Sequence, residues 1–272
     1  MTIFSNDSEI GNHNINYAMM EIEALYGDQV SFIAQPRQAL KFGNNPDIDA
    51  LVWETVWERG GDETYLTTNA IDTLSSSDAS DSEPVTITGH TISGTGEDAT
   101  FTRVTQTATV DGQNKVTLTT PLARVERIKN ANGTNFAGNV YVYEDTAITG
   151  GVPTDGTKVH IQITGTDGKD QSFKAALTTA DGEYLCLSSG WAAITGKVSG
   201  SADFEMQYRR PGHIFLPVSR VSVASTGNTT TQIRFEPYAI IPPNSDLRIR
   251  AVSSANNTEV NVSLQGIYAT VV

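Results

Sequence analysis

A chain of 272 residues with 38% hydrophobic residues, 23 glycines and 10 prolines has room for one large β domain, or for two smaller ones with an appendage. It holds no run of about 18 apolar residues, which excludes a membrane-spanning helix, and its opening MTIFSNDSEI has neither the basic patch nor the apolar stretch of a secretory signal. The net charge of -13 is uneven: residues 1–84 hold 15 acidic and 3 basic residues (-12), residues 85–272 hold 16 and 15 (-1), a polarity that disfavours nucleic acid and suits a basic protein surface.

The first third lacks a self-sufficient core. INYAMMEIEALYG (15–27) predicts a short helix with Ile15, Met19, Ile22 and Tyr26 on one side. Pro36 and Pro46 then interrupt the chain, and SSSDASDSE (75–83) reads as a polar spacer. Apolar burial at roughly 25 cal/mol per Å² has to exceed ordering costs of about 1–2 kcal/mol per residue, which so polar a segment does not achieve alone. Residues 1–84 are therefore expected to form a largely extended acidic N-terminal arm, ordered by its own body or by neighbours. Within it, WETVWERGGDE (53–63) carries two of the three tryptophans. If 49–58 forms one or two helical turns, Trp53 and Trp57 share a face, with Phe42, Val52 and Val56 nearby. That face either covers an open end of the chain's own sandwich or anchors another subunit, as buried tryptophan does at interface hot spots.

The body reads as strands. VTITGHTISG (85–94), TFTRVTQTATV (100–110), NKVTLTT (114–120), ARVERIKN and GNVYVYED alternate as half-buried strands do. Together they predict a small antiparallel β domain over 85–148. Asp111-Gly112 marks a hairpin turn between two of them. In GNVYVYED, Val140 and Val142 face one way, Tyr141 and Tyr143 the other. TAITGGVPTDGTK (146–158) is a connector. From KVHIQIT onward, strands at near-regular spacing, broken by RPGH, STGNTT, PPNSD and SANN, predict a jelly-roll-like β-sandwich over 158–272. The fold class is all-β: an antiparallel sandwich or jelly-roll body in two β units, preceded by the arm.

Motifs for chemistry are absent. His13, His90, His160 and His213 lie far apart, and no HExxH, GxSxG or P-loop pattern occurs. His160 is expected on the polar face of its strand. Cys186, the one cysteine, reads as a small buried hydrophobe within EYLCLSS. TDGKD (166–170) and TGEDAT (95–100) carry oxygens suited to calcium but lack EF-hand spacing, and read first as turns. No catalytic residue, metal or cofactor is expected. QYRRPGH (207–213), with Arg209 and Arg210, and Arg248 and Arg250 on the strand DLRIR read either as solvated surface or as a receptor for the acidic 54–63 segment of an adjacent copy.

LARVERIKNANGTNFAGNVYVYEDTAITGGVPTDGTKVHIQI (122–163), QSFKAALTTADGEYL (171–185) and FEPYAIIPPNSDLRIRAVSSANNTEV (235–260) resemble structural proteins of tailed-bacteriophage virions, especially from marine and cyanobacterial phages. KFGNNPDIDALVWETVWERGGDE (41–63) is similar to the arm that precedes the β body in such proteins. The resemblance implies a place in a particle and transfers no functional residue. It implies a non-enzymatic capsid decoration (cement) protein, expected as a homotrimer on the capsid surface, assembled in the host cytoplasm, which agrees with a lone cysteine. The expected partners are the major capsid protein and copies of itself, with no nucleic acid, membrane or small-molecule substrate. Trp53 and Trp57 would fill apolar pockets on the capsid, and Glu54, Glu58, Asp62 and Glu63 would meet basic groups there. Phe42, Arg209 and Arg210 complete the expected interface. The rival readings are a neck, tail-adaptor or fibre-base component, a carbohydrate-binding receptor module using Tyr141 and Tyr143, and a depolymerase.

Overall fold

The computed structural model describes residues 37–195, 200–225 and 229–270; the helix expected over 15–27 lies outside them, as does His13. Eighteen strands follow in order: β1 (Arg37–Ile48), β2 (Glu54–Thr55), β3 (Ile71–Ser76), β4 (Pro84–Ser93), β5 (Thr100–Thr109), β6 (Val116–Leu122), β7 (Arg124–Asn130), β8 (Val140–Glu144), β9 (Ile148–Thr149), β10 (Val152–Pro153), β11 (Val159–Ile163), β12 (Ala176–Thr178), β13 (Glu183–Ile194), β14 (Gly200–Arg209), β15 (Leu216–Ser225), β16 (Thr229–Ile241), β17 (Asp246–Ser253) and β18 (Thr258–Thr270). Helical structure among the described residues is confined to 3₁₀ turns such as Gly156–Lys158, so the chain is all-β.

Eight strands in two antiparallel sheets, ordered β1-β18-β13-β16 and β12-β17-β14-β15, pack face to face, and the short β2 adds a fifth member to the second sheet. Their inward side chains form one core that includes Ile48, Val56, Leu185, Leu187, Phe204, Ile249 and Val260. Numbered one to eight along the chain, these strands lie in the orders 1-8-3-6 and 2-7-4-5. That is the double Greek key of a jelly roll. Everything from β3 to β11 is inserted between its first and second strands. The insertion is itself a sandwich: sheet β11-β8-β3-β6 faces sheet β5-β4-β7 across a core with Leu74, Ile87, Ile128, Val142 and Ile161.

The segment expected as an arm is therefore partly built into both sandwiches. β1 pairs along β18 from Arg37↔Tyr268 to Ile48↔Thr258, and β3 lies between β8 and β6 in the inserted sheet. The boundary at residue 84 falls inside the inserted sandwich, and KVHIQIT belongs to that sandwich as β11 rather than to the C-terminal one. Pro46 does not end β1, because β1 is an edge strand and Pro46 sits where its register shifts between Asn45 and Ile48. An edge or a bulge is where a sheet tolerates proline. No helix forms at 49–58; β2 instead pairs with β17 through Thr55↔Arg250 and Glu54↔Ala251. β2 and β12 thus lie in line along the same edge of β17. Asp111-Gly112 is not a two-residue hairpin either. β5 and β6 belong to different sheets, and the turn is held by the 76–81 loop through Ser76 N to Gly112 O (3.0 Å) and Gly112 N to Asp81 O (2.8 Å).

At Gly43 the edge strand β1 crosses this composite edge at close range. A Cβ there would lie 2.7 Å from the carbonyl of Val56 and 2.8 Å from the amide of Ala175. Those backbone atoms are fixed by the ladder between Val56, Ala175 and Ile249 and cannot yield as a side chain would. Gly43→Ala is expected to cost about 1–3 kcal/mol by overpacking, read as a lower denaturation midpoint with an unchanged slope.

Candidate functional site

Residues 49–63 bridge the jelly roll and its insertion, and their carboxylates are mostly spent inside the molecule. Glu54 is buried; Oε1 accepts from Asp49 N (2.9 Å) and Oε2 from Gly61 N (2.7 Å) and Asn45 Nδ2 (3.2 Å). Those donors are neutral, so Glu54 acts as a clip for the loop. Glu58 is buried and accepts from Lys169 Nζ (2.9 Å) and Phe173 N (3.0 Å). Burial raises its pKa, and those two donors pull it part of the way back. Glu63 is buried against Lys174 Nζ. Asp62 stays exposed but pairs with Arg250 (3.1 Å) and accepts from Thr55 Oγ1 (3.2 Å).

The tryptophans separate. Trp57 is only 2% exposed, and its Nε1 donates to the carbonyls of Gly60 (2.9 Å) and Gly61 (3.0 Å). Trp53 is half-buried on the outer side of the β12-β17-β14-β15 sheet, with the Arg220 and Arg250 guanidinium carbons 5.4 and 5.8 Å from its ring centre. Trp57, Glu54, Glu58 and Glu63 thus have no surface to offer a neighbour, which corrects their assignment to a partner interface. Asp62 meets the expected arginines, but those of its own chain. Arg209 is also engaged internally: its guanidinium stacks 4.6 Å from both the Tyr65 and Phe215 rings, and Nε lies 3.4 Å from Asp246. Phe42 (44% exposed) and Arg210 remain at the surface.

Most of the exposed large apolar side chains among the described residues fall into three groups, and of these the sequence pointed only to Phe42 and Val52. Leu40 and Trp191 join Phe42 on the outer face of the β1-β18-β13-β16 sheet, where Phe42 and Trp191 both pair with Ser263. Leu51 and Val52 project from the turn after β1, and Ile214 and Leu216 from the loop between β14 and β15.

A buried ionic junction joins the two sandwiches. Arg124 of β7 forks onto Asp246 of β17 (Nε–Oδ1 2.8 Å, Nη2–Oδ2 3.0 Å). Arg103 of β5 holds Glu126 (2.8 Å) and reaches Glu183 of β13 (3.0 Å). Glu126 accepts from Thr178 N (2.6 Å), and Lys41 of β1 donates to the Glu126 carbonyl. Lys174 links Glu63 to the carbonyls of Val125 (2.9 Å) and His160 (3.0 Å). Four cations, Lys41, Arg103, Arg124 and Lys174, thus face four anions, Glu63, Glu126, Glu183 and Asp246. Charges removed from water are tolerable only when so paired and hydrogen-bonded. His90 lies wholly buried 3.8 Å from Glu126, with neither ring nitrogen hydrogen-bonded.

This setting shifts several groups. Glu126 is held at about 2: burial alone would raise it, and His90, Arg103 and Lys41 override that. Burial lowers Lys41 to about 7, and Glu126 offsets part of the fall. His160, which is buried and not on a polar face, is lowered to about 4 by burial and then by the Lys174 ammonium, while its Nε2 lies 3.1 Å from Glu144.

Other expected sites resolve into structure. Tyr141 and Tyr143 are buried with Val159, so β8 is covered on both faces and offers no sugar platform. Both calcium-like stretches form 3₁₀ turns, Gly96–Asp98 and Gly165–Asp167, the second closed by Gly168 at φ 71°. Among the described residues no group of three or more His, Cys, Asp or Glu side chains is placed to hold a metal, and no helix is long and apolar enough to cross a membrane. Cys186 is buried.

No protein family profile matches the chain, and no curated protein matches it. Among solved structures, that of the infectious bursal disease virus Gt strain aligns over 91% of this chain and 74% of its own, at 10% identity and a TM-score of 0.21. The VP2 subviral particle of infectious bursal disease virus aligns over 90% and 73%, at 10% identity and a TM-score of 0.20. Superpositions of that quality carry no weight for function.

Two outcomes follow from the junction. Arg124→Ala or Asp246→Ala strands a buried charge and is expected to cost about 3–5 kcal/mol in denaturant unfolding. Acid should weaken the fold in stages. Unfolded His160 charges near its ordinary 6.5 but folded His160 only near 4, so its contribution of about 3 kcal/mol is lost as pH falls through that window. The Glu126 contribution, present above its ordinary 4.5, is lost as pH falls towards 2. Lys41 acts on the alkaline side: its penalty is full below about 7 and is relieved as pH rises towards 10.5. Denaturation midpoints should therefore fall steadily from pH 7 to pH 3, and His160→Gln should flatten the part between 6.5 and 4.

Proposed function

We propose that the chain is a non-enzymatic structural protein of a virion, of the tailed-phage kind that its sequence resembles, and that it decorates the capsid. The observation that carries this reading is the strand order 1-8-3-6 over 2-7-4-5 in the two main sheets. Viral capsid domains use this jelly roll, as do lectins and cupins. Fold alone does not fix function, and the surroundings narrow it. The inserted sandwich is locked by buried ion pairs, as suits a part that must resist force, and most of the large apolar side chains at the surface are grouped. The lectin alternative loses its expected tyrosine platform, because Tyr141 and Tyr143 are in the interior. Attachment to the capsid runs through exposed side chains such as Phe42 and Trp191, since Trp57 plugs its own molecule.

Quantitative mass spectrometry of purified virions, with this chain measured against the major capsid protein, tests the proposal. Hundreds of copies per particle are expected of a decoration protein. About a dozen would place it in a symmetric neck or tail ring, and absence from washed particles would overturn the virion reading.

A further inference from the structure

The turn after β1 displays a leucine at a conformational cost. Leu51 is 86% exposed and has φ +62°, in the left-handed region that a branched side chain seldom occupies. The backbone enforces it: Leu51 N donates to Ser253 O (3.0 Å), and Ala50 N donates to Asn256 Oδ1 (2.7 Å). Val52, 50% exposed, stands beside it. They flank an open depression of about 520 Å³, lined among others by Asp47, Asp49, Val52, Trp53, Arg59 and Asp62. Asp62 already has Arg250. Asp47 and Asp49 are exposed, and among the described residues neither is paired with a cation.

A surface of matching chemistry lies at the other end of the same sheet. The 210–215 loop follows Arg209, which pairs with Asp246 at the start of β17, whereas Leu51 is bonded to Ser253 at its end. Eight residues of β17 separate the two places by about 23 Å. This loop presents Arg210, exposed and without an anionic partner among the described residues, and beyond it Ile214 (77% exposed) and Leu216 (47%). Its base is fixed, because Phe215 lies 3.9 Å from the Arg248 guanidinium carbon and 5.1 Å from the Tyr65 ring. One end of the sheet thus offers unpaired carboxylates beside two exposed aliphatic side chains, and the opposite end offers an unpaired guanidinium beside two more.

We propose that the Arg210–Leu216 loop of one copy seats in the 47–62 depression of the next, with Arg210 against Asp47 and Asp49, and Ile214 against Leu51 and Val52. Because the two surfaces differ and lie at opposite ends, the contact is head-to-tail and closes into a ring when the rotation between copies allows it. Each contact is small, so its strength comes from repetition. The inference rests on the reading of the chain as an assembling structural protein.

Charge exchange tests it on the full chain, by sedimentation across a concentration series. Asp49→Arg and Arg210→Asp should each weaken self-association about tenfold or more. The two together in one chain should restore much of it, because the exchanged pair again joins opposite charges and only Asp47 stays unexchanged. Leu51→Ser should also weaken it. All three side chains are exposed, so melting temperatures measured at concentrations too low for association should match the wild type. A wild type that stays monomeric, single variants that associate normally, or a double variant that fails to recover would each overturn the contact. A chain abundant in purified virions but monomeric in solution sinks this contact and spares the virion reading. Absence from virions with charge-exchangeable association does the reverse.

Discussion

A two-pronged bond between Arg124 and Asp246, shut away from water, holds the inserted sandwich to the jelly roll. Around it Arg103, Lys41 and Lys174 meet Glu126, Glu183 and Glu63. Such a junction contributes less to stability than its Coulomb energies imply, because each charge was well solvated before burial. It gives position instead. An apolar seam would allow the two sandwiches to slide, whereas forked and multiply bonded charges admit one arrangement. The seam also carries neutral bonds, such as Phe101 N to Asn244 Oδ1 (2.8 Å) and Asp181 N to Phe101 O (2.9 Å), which fix the β5 end against the loops beside β13 and β17.

The same constraint explains the acidic character of the 49–63 segment. A chain leaving a jelly roll between its first and second strands must pass the sheet edge, turn, and start a new domain. Here Glu54 gathers the amides of Asp49 and Gly61, Glu58 takes Lys169 and Phe173, and Glu63 takes Lys174. Trp57 fills the space these bonds enclose. What looks from outside like an anionic strip is largely the wiring of the crossing. Asp47 and Asp49 stay outside it, and they flank the exposed Leu51 turn.

The β body was legible because its strands alternate where one face is solvated, as in VTITGHTISG and TFTRVTQTATV, which became β4 and β5 almost residue for residue. β1 was hidden because three of its inward positions are Lys41, Gly43 and Asn45, which serve the junction and the close crossing rather than an apolar core. β3 was hidden in the same way: Thr73, Ser75 and Ser76 are polar yet buried, with Ser75 donating to Gly151 O and Ser76 to Asp81. The insertion itself left no local mark, since β1 and β12 are consecutive in the jelly roll but lie far apart in the chain. The burial of Glu58, Glu63 and Trp57 depends on Lys169, Phe173 and Lys174, more than 100 residues away. Exposure of Trp191 was equally unreadable, because an apolar side chain gives no sign of which face of a sheet it takes.

If charged seams fix the two sandwiches as one body, they must unfold together. Calorimetry of the intact chain at neutral pH tests this most directly. The account requires a single transition whose calorimetric and van't Hoff enthalpies agree. Two resolved transitions, one for each sandwich, would show that the junction does not couple them and would contradict it.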